Sequence, residues 1–397
     1  MKKLLSLLTL PFLITSFYFH EISSMQQTNT KSIAKPNLRK KQTPEEKEKP
    51  EQKFTEIIFG QTGSFSGSLK TYGEIIKNAI DACFQEANKS GDLGDVKLKL
   101  ISLDDKGKAQ LAAKNIKNLF DENKIYMFLG CTGTRGVLKV LPLIKSGKIA
   151  MFFPWGGDPE LMQQDLTYQI NGLGLIEPQT EKLIDYIVNE LKLTKIGIFC
   201  SDGDFSQKSA NIAIDQLKKV GIKPVQNVNY NRFTMNIKRP SKQLITYDPK
   251  VVLSLGTSMP TAKMIEYFFK AGNFGTNFLG IDSTLFVSEI LKEKNVNFEY
   301  SSCVPDPKNI ELPIVKEYQE VLKKYYPEET FNILSLAYYI QAKIIIEAIK
   351  KISGPITKEK IISEIENMIN FDLGGFKINF DSQTRYAFGK DVIILKG

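Results

Sequence analysis

Residues 125–161 read IYMFLGCTGTRGVLKVLPLIKSGKIAMFFPWGGDPEL, and their pattern sets the fold class. An apolar run, Ile125 to Leu129, stops at Gly130. The polar turn Cys131-Thr132-Gly133-Thr134-Arg135-Gly136 follows. Apolar residues then recur at Val137, Leu138, Val140, Leu141 and Ile144, the spacing of one helical face. A second apolar run, Ile149 to Phe153, ends in Trp155-Gly156-Gly157-Asp158, with Pro159 placed to open a helix. Two parallel strands would therefore stop side by side, each with a glycine-rich turn at its carboxyl end, which is where open α/β sheets bind ligands. Backbone N–H groups at such helix starts suit an anion such as a carboxylate. The same residue types also build strand-to-helix turns that touch no ligand, so the pattern leaves both readings open.

Working outward, the same alternation repeats. Thr55 to Phe59 reads as a strand ending in Gly60-Gln61-Thr62-Gly63-Ser64-Phe65-Ser66-Gly67, followed by a helix from Leu69 to Asn88. Val96 to Leu103 is the next strand, stopping at Asp104-Asp105, and a helix spans Ala109 to Phe120. A short strand is expected at Tyr168 to Asn171. A second series starts near Glu177: helix Thr180 to Leu191, strand Lys195 to Cys200, helix Gln207 to Val220, then strands Val225 to Tyr230, Val251 to Leu255, Phe278 to Ile281 and Tyr300 to Val304. Helices Pro260 to Ala271 and Thr284 to Glu293 fall among them. After Pro305-Asp306-Pro307 come three helices without strands, Glu311–Tyr325, Asn332–Ile352 and Thr357–Met368, expected to return to the first half. The segments Phe371 to Phe380 and Asp391 to Leu395 read as a final hairpin. The expectation is two α/β halves joined by several crossings that form a hinge, with a cleft between them.

Composition narrows the chemistry. The chain has 397 residues, 42% hydrophobic and 24% charged, as in globular proteins of two ordinary domains. The net charge of +9 is partly local: residues 31–53 carry Lys31, Lys35, Arg39, Lys40, Lys41, Lys47, Lys49 and Lys53 against Glu45, Glu46, Glu48 and Glu51. No basic helix or aromatic-interleaved patch accompanies it, so nucleic-acid binding is not read from the charge. Met1-Lys2-Lys3 followed by LLSLLTLPFLITSFYF has the form of a secretory signal, taken as residues 1–24, with a retained membrane anchor as the alternative. Residues 25–53 read as a charged linker. The only histidine, His20, lies in that leader, which removes histidine-based acid–base catalysis, Ser–His–Asp triads and most zinc sites from the mature chain. The four cysteines, Cys83, Cys131, Cys200 and Cys303, have no metal-ligand spacing and permit either bridges or buried thiols.

Other motifs fail. The three Gly-Lys pairs are followed by Ala109, Ile149 and Asp391 rather than Ser or Thr, so none is a Walker loop. The spacing Gly130, Gly133, Gly136 is wrong for a dinucleotide fingerprint. Asp104-Asp105 could hold a cation, but acids closing a strand more often cap a turn.

Taken in order, GSFSGSLKTYG (63–73), the Asp104-Asp105 strand end, GCTGT (130–134), FFPWGGDPEL (152–161), IGIFCSDGDFSQ (196–207) and LGIDSTL (279–285) resemble the type I periplasmic solute-binding proteins, in the leucine/isoleucine/valine-binding branch of the ABC amino-acid uptake systems. The resemblance covers Thr55 to Leu395. It implies an α/β fold of two doubly wound lobes joined by a multi-strand hinge, with residues 54–174 and 306–369 in lobe 1 and 175–305 and 370–397 in lobe 2. It also implies a periplasmic or secreted monomer that performs no catalysis, needs no cofactor or metal, takes a small polar solute such as an amino acid or amide, and delivers it to an ABC permease. A ligand sensor docking on a receptor or regulator is the alternative on the same fold.

By the same resemblance, Cys131, Thr132, Gly133 and Thr134 would hold a ligand carboxylate, and Gly156, Gly157 and Asp282 its ammonium. Tyr72, Trp155 and Phe205 would form walls, with Trp155 either stacking on the ligand or filling the pocket, and Thr257 is a further expected contact. The sequence departs from the family pattern at several of these points. Gly157 stands where Ser or Thr is usual, Phe205 where a Tyr often caps the ligand, and Thr257-Ser258 near another aromatic position. Trp155 replaces a small residue, and Cys131 lacks its usual disulfide partner after Asp105.

Overall fold

The computed structural model describes residues 54–397 apart from 157–158, 174, 232–235, 295 and 390. The secretory segment and linker expected at 1–24 and 25–53 lie outside the described residues. The first sheet holds five parallel strands: β1 (Thr55–Gly63), β2 (Val96–Asp104), β3 (Met127–Leu129), β4 (Ala150–Phe152) and β5 (Gln169–Ile170), in the order β2-β1-β3-β4-β5. The second sheet holds β6 (Ile196–Ser201), β7 (Gln226–Tyr230), β8 (Val251–Leu255), β9 (Asn277–Gly280) and β10 (Phe298–Ser302), ordered β10-β9-β8-β6-β7. Both have the doubly wound order in which the chain winds outward in two directions from its first strand. The switch points lie between β1 and β3 and between β6 and β8, the positions at which open α/β sheets commonly form a crevice at their carboxyl ends.

Helices connect the strands because the apolar spacing switches from period 2 to period 3.6 between them. They are α1 (Lys70–Ser90), α2 (Ala109–Asp121), α3 (Thr134–Leu138), α4 (Leu141–Lys145), α5 (Ile176–Asp185), α6 (Asp204–Lys219), α7 (Lys238–Thr246), α8 (Ser258–Lys270), α9 (Val287–Ile290), α10 (Pro313–Tyr325), α11 (Ile333–Lys351) and α12 (Lys358–Glu366). The last three follow the second sheet in the chain. Helices α10 and α11 pack on α1, and α11 is buried on nearly every face. Its start is fixed by a capping box in which the Asn332 side chain accepts from the Leu334 and Ser335 N–H groups.

Five local expectations are corrected. The helix after Gly136 is two short ones. Pro142 has no N–H to continue a helix from α3 but suits the first turn of α4. The helix expected at Thr180–Leu191 begins earlier, at Ile176, and ends in a wide π turn, Tyr186–Glu190. The helix expected over Thr284–Glu293 shrinks to α9 between 3₁₀ turns. Helix α7 was not read from the sequence because it is mostly polar; Pro240 sits in its first turn, where proline is tolerated.

The fifth concerns the C-terminus. The final hairpin forms only over β11 (Phe371–Asp372) and β12 (Lys377–Ile378). The last strand, β13 (Ile393–Lys396), instead joins the second sheet antiparallel to β10. The sequence reading gave residues 370–397 to the second lobe, yet much of that segment bonds to the first. Phe380 N donates to Met368 O, and Arg385 reaches Gln169 O (3.1 Å), Thr167 O (2.8 Å) and Glu366 (2.5 Å).

The chain thus passes between the sheets three times: after β5, after β10, and before β13. The first and third passages are zipped together, with Asn171 N donating to Arg385 O (2.7 Å) and Ala387 N to Asn171 O (2.8 Å).

Candidate functional site

The two turns of the opening stretch meet at the carboxyl edge of the first sheet. Fully buried Phe153 closes β4 with φ 51°, a left-handed conformation uncommon for a bulky residue and often found at functional turns. Its carbonyl accepts from Tyr338 OH of α11 at 3.3 Å. The chain is thereby turned so that Trp155 runs beside Cys131–Gly133: Trp155 N donates to Cys131 O (2.8 Å) and Gly133 N to Trp155 O (3.1 Å). Gly156 lies against Thr134, so close that an added Cβ would sit 2.8 Å from Thr134 Oγ1 and 3.2 Å from its Cα.

These bonds change the picture of the carboxylate cradle. Thr132 N is engaged by Thr62 O (2.9 Å) and Gly133 N by Trp155 O, while Thr132 Oγ1 accepts from Ser64 N (3.3 Å). Cys131 turns its thiol into the apolar layer with Ile116, Phe128 and Val137, where burial pushes its pKa up to about 12. The segment Cys131 to Gly133 is therefore occupied in holding the turn. Half-buried Thr134 is left beside Gly156. Gly157 lies outside the described residues. All four cysteines are buried and form no disulfide with one another.

From the second lobe, Asp282 follows β9 at the start of a 3₁₀ turn. Its Oδ2 accepts from Gln179 Nε2 (3.0 Å), and its N–H donates to Gln179 Oε1 (3.1 Å), which also accepts from Ser301 Oγ (2.9 Å). These are neutral partners, and among the described residues no cation is paired with the carboxylate. Burial accordingly raises its pKa to about 6 despite the hydrogen bonds from Gln179 and the Ser283 backbone.

The lobes touch across the cleft. Tyr72 OH, from α1, lies 3.0 Å from Ser258 Oγ at the head of α8 and 3.2 Å from Ser283 O. The Tyr72 ring stacks on Trp155 (5.1 Å, 18°) and meets Phe286 edge-on (5.4 Å, 68°). The carboxyl ends of both sheets thus face one another.

Between them lies a pocket with about 290 Å³ of empty space, its open mouth included. Trp155 closes one side; Asp282, Ser283 and Leu285 come from the second lobe; Leu173, Ser302, Cys303 and Val304 from the crossings; Ile333 and Leu334 from the start of α11. Of the residues singled out in the sequence, Trp155 and Asp282 line this pocket, and Tyr72 backs Trp155. Phe205 packs half-buried on the second lobe's core, and Thr257 sits beside Tyr230 at the head of α8; neither is among the lining residues. Sequence reading missed Ser283, although it adjoins Asp282 in LGIDSTL. It also missed the apolar walls Leu173, Val304, Ile333 and Leu334, which carry no chemical signature.

A family model described as periplasmic binding protein matches residues 56–392. The chain belongs to this family. An amino acid binding protein of Pseudomonas aeruginosa is 23% identical over 172 residues, 43% of this chain and 46% of that protein. The chain thus spans about half the length of the curated relatives it matches. Among solved structures, a possible leucine/isoleucine/valine-binding protein from Rhodopirellula baltica superposes with a TM-score of 0.78 at 24% identity, covering 86% of this chain and 94% of that one. A branched-chain amino acid ABC transporter protein from Thermus thermophilus with bound valine gives a TM-score of 0.78 at 18% identity, covering 87% and 94%. At these identities the structural likeness is one of fold. As in these family members, the fold is α/β, with two lobes built on parallel sheets and a crevice between them.

Proposed function

We propose that the protein is the extracytoplasmic substrate-binding component of an ABC importer and that it captures an aliphatic amino acid by closing its lobes around it. The observation that carries this reading is Asp282: a buried carboxylate with no cationic partner among the described residues, facing a pocket whose other walls are mainly Leu, Ile, Val and Trp. A ligand ammonium supplies the missing charge, and an aliphatic side chain suits the apolar walls. The ligand carboxylate is assigned to the turn where Gly156 lies against Thr134, next to Trp155 at the start of α3. Family membership and relatives named as amino acid binding proteins support the same reading.

The mechanism is a population shift. A ligand that touches Asp282 from the second lobe and the Trp155 turn from the first favours the closed state by its differential affinity for the two arrangements. No bond is made or broken. Trp155 is the only tryptophan of the chain, so its emission reports the cleft directly. Titration with amino acids should give a saturable change with an aliphatic member of the panel and none with sugars. A response confined to sugars or to anions without an ammonium group would refute the assignment.

A further inference from the structure

We propose that capture of an amino acid displaces a proton from Asp282, so that the cleft fills at neutral pH and empties as its surroundings acidify. This rests on the amino-acid reading above, because it takes the ligand to bring an ammonium group to Asp282.

A buried carboxylate is neutralised either by a proton on its own oxygen or by a cation beside it. Among the described residues, the elements packed around Asp282 offer no such cation. Gln179 of α5 bonds both its carboxylate and its N–H, and the Ser283 backbone adds a further bond. β10 and its end bring Ser301, Ser302 and the thiol of Cys303; the head of α8 brings Ser258, which bonds Ser283 O. Tyr72 from α1, Tyr338 from α11 and Tyr386 from the third crossing are the phenols that feel the Asp282 charge, and burial raises all three, so they stay uncharged. Arg385, beside Tyr386, spends its guanidinium on Thr167, Gln169 and Glu366. The charged side chains of α5 (Glu177, Glu181, Lys182, Asp185) and of α8 (Lys263, Glu266, Lys270) contribute nothing to the shift at Asp282, which comes from burial against the bonds from Gln179 and Ser283. The groups that face Asp282 are thus neutral between about pH 4 and 7.

Asp282 also lines the pocket, so the one place from which a counter-charge can reach it is the ligand site. In the empty cleft the proton fills that role, and burial holds the carboxyl at about 6. A protonated carboxyl has no charge with which to hold an ammonium group. The O–H proton must leave to solvent before the ligand cation takes its place, and proton and ligand compete for one site. The competition weakens binding by about twofold at pH 6 and about tenfold at pH 5 relative to pH 8, and releases roughly half a proton per ligand at pH 6 and almost none at pH 8.

The test is isothermal titration calorimetry of the wild type with alanine, valine and leucine, from pH 5 to 8, in two buffers of unequal protonation enthalpy at each pH. These amino acids keep both of their own charges across that range, so the buffer dependence of the heat counts protons from the protein. The expected result is the loss of affinity and the proton release given above. A Kd that stays constant from pH 5 to 8 with no proton released overturns the proposal and leaves amino-acid capture standing; proton uptake does the same. Absence of binding to all three at every pH overturns both readings together. Asp282→Asn should bind more weakly, with a Kd independent of pH and no proton released. A pH dependence that persists in this variant assigns the proton to another group and overturns the proposal. If the variant does not fold, the proton count on the wild type decides alone.

Discussion

Replacing Asp282 by Asn should make the ligand-free protein more stable at neutral pH while weakening ligand binding. The Asp282 pKa is raised from 3.8 to about 6, a shift caused mainly by burial. A raised acid takes up protons in the folded state at pH values where the unfolded chain has released them. Stability is therefore greatest below about pH 4, falls as pH rises towards 6, and stays at its reduced level above that. Two units at about 1.4 kcal/mol each give a penalty of roughly 3 kcal/mol at neutral pH. Asn keeps an acceptor for Gln179 Nε2 and carries no charge, so it removes most of this penalty. The unfolding entropy of a folded region of this length is roughly 0.7 kcal/mol/K, so Tm should rise by about 4 °C at pH 7, with the difference closing near pH 4. The other titratable groups coupled to this site, Tyr72, Tyr338 and Tyr386, are phenols shifted upward and stay neutral across this window. Binding should move the opposite way. Loss of a charged acceptor for the ligand ammonium costs about 1.5–3 kcal/mol, roughly 10- to 150-fold in Kd. Scanning calorimetry of both proteins from pH 4 to 8, with and without ligand, reads both effects. A variant that melts at or below the wild-type temperature at pH 7, or a Tm difference independent of pH, would refute the claim that Asp282 is a buried, uncompensated charge.

Other outcomes follow from the same contacts. Tyr72→Phe keeps the stack on Trp155 but loses the hydroxyl contacts to Ser258 and Ser283. It should weaken ligand affinity about fivefold, on the order of 1 kcal/mol, with little change in Tm by calorimetry. Gly156→Ala places a Cβ 2.8 Å from Thr134 Oγ1 and should displace the Trp155 turn, lowering stability by about 1–3 kcal/mol in denaturant melts and shifting Trp155 emission before any ligand is added. Arg385→Met removes the buried guanidinium that ties the third crossing to Thr167, Gln169 and Glu366. It should cost about 3 kcal/mol of folding stability, visible as a lower urea midpoint.

The repeated strand–turn–helix pattern was legible because several strands are apolar runs, others such as β2 alternate, and glycines mark many of the turns, and both lobes followed from it. Strand β13 was not legible. Its pairing with β10 joins residues some ninety positions apart, and nothing local in VIILK distinguishes a hairpin partner from a sheet edge. Trp155 and Asp282, which line the pocket, came from the family resemblance, Asp282 as an expected contact and Trp155 as a departure from the family pattern. What the sequence could not reveal is how the turn amides are engaged. Thr132 and Gly133 looked like open donors, but the neighbouring strand ends supply acceptors, and the need to satisfy buried backbone groups takes precedence over ligand binding. The pocket's apolar walls were equally hidden, since Leu173, Val304 and Ile333 meet only through the three crossings.

The Tyr72 contacts bear on how tightly any ligand can be held. They join the two lobes through protein groups alone. Under the proposed closing mechanism a ligand's apparent affinity rises with the fraction of protein that is competent to close on it, so contacts of this kind would raise affinity without touching the ligand. They also set an upper bound on responsiveness: the more the empty protein is already closed, the less a ligand changes its shape, and the weaker the signal to anything that distinguishes the two states. Trp155 links the two effects. Its indole is at once the ring on which Tyr72 stacks and a wall of the pocket, so ligand and latch compete for its position.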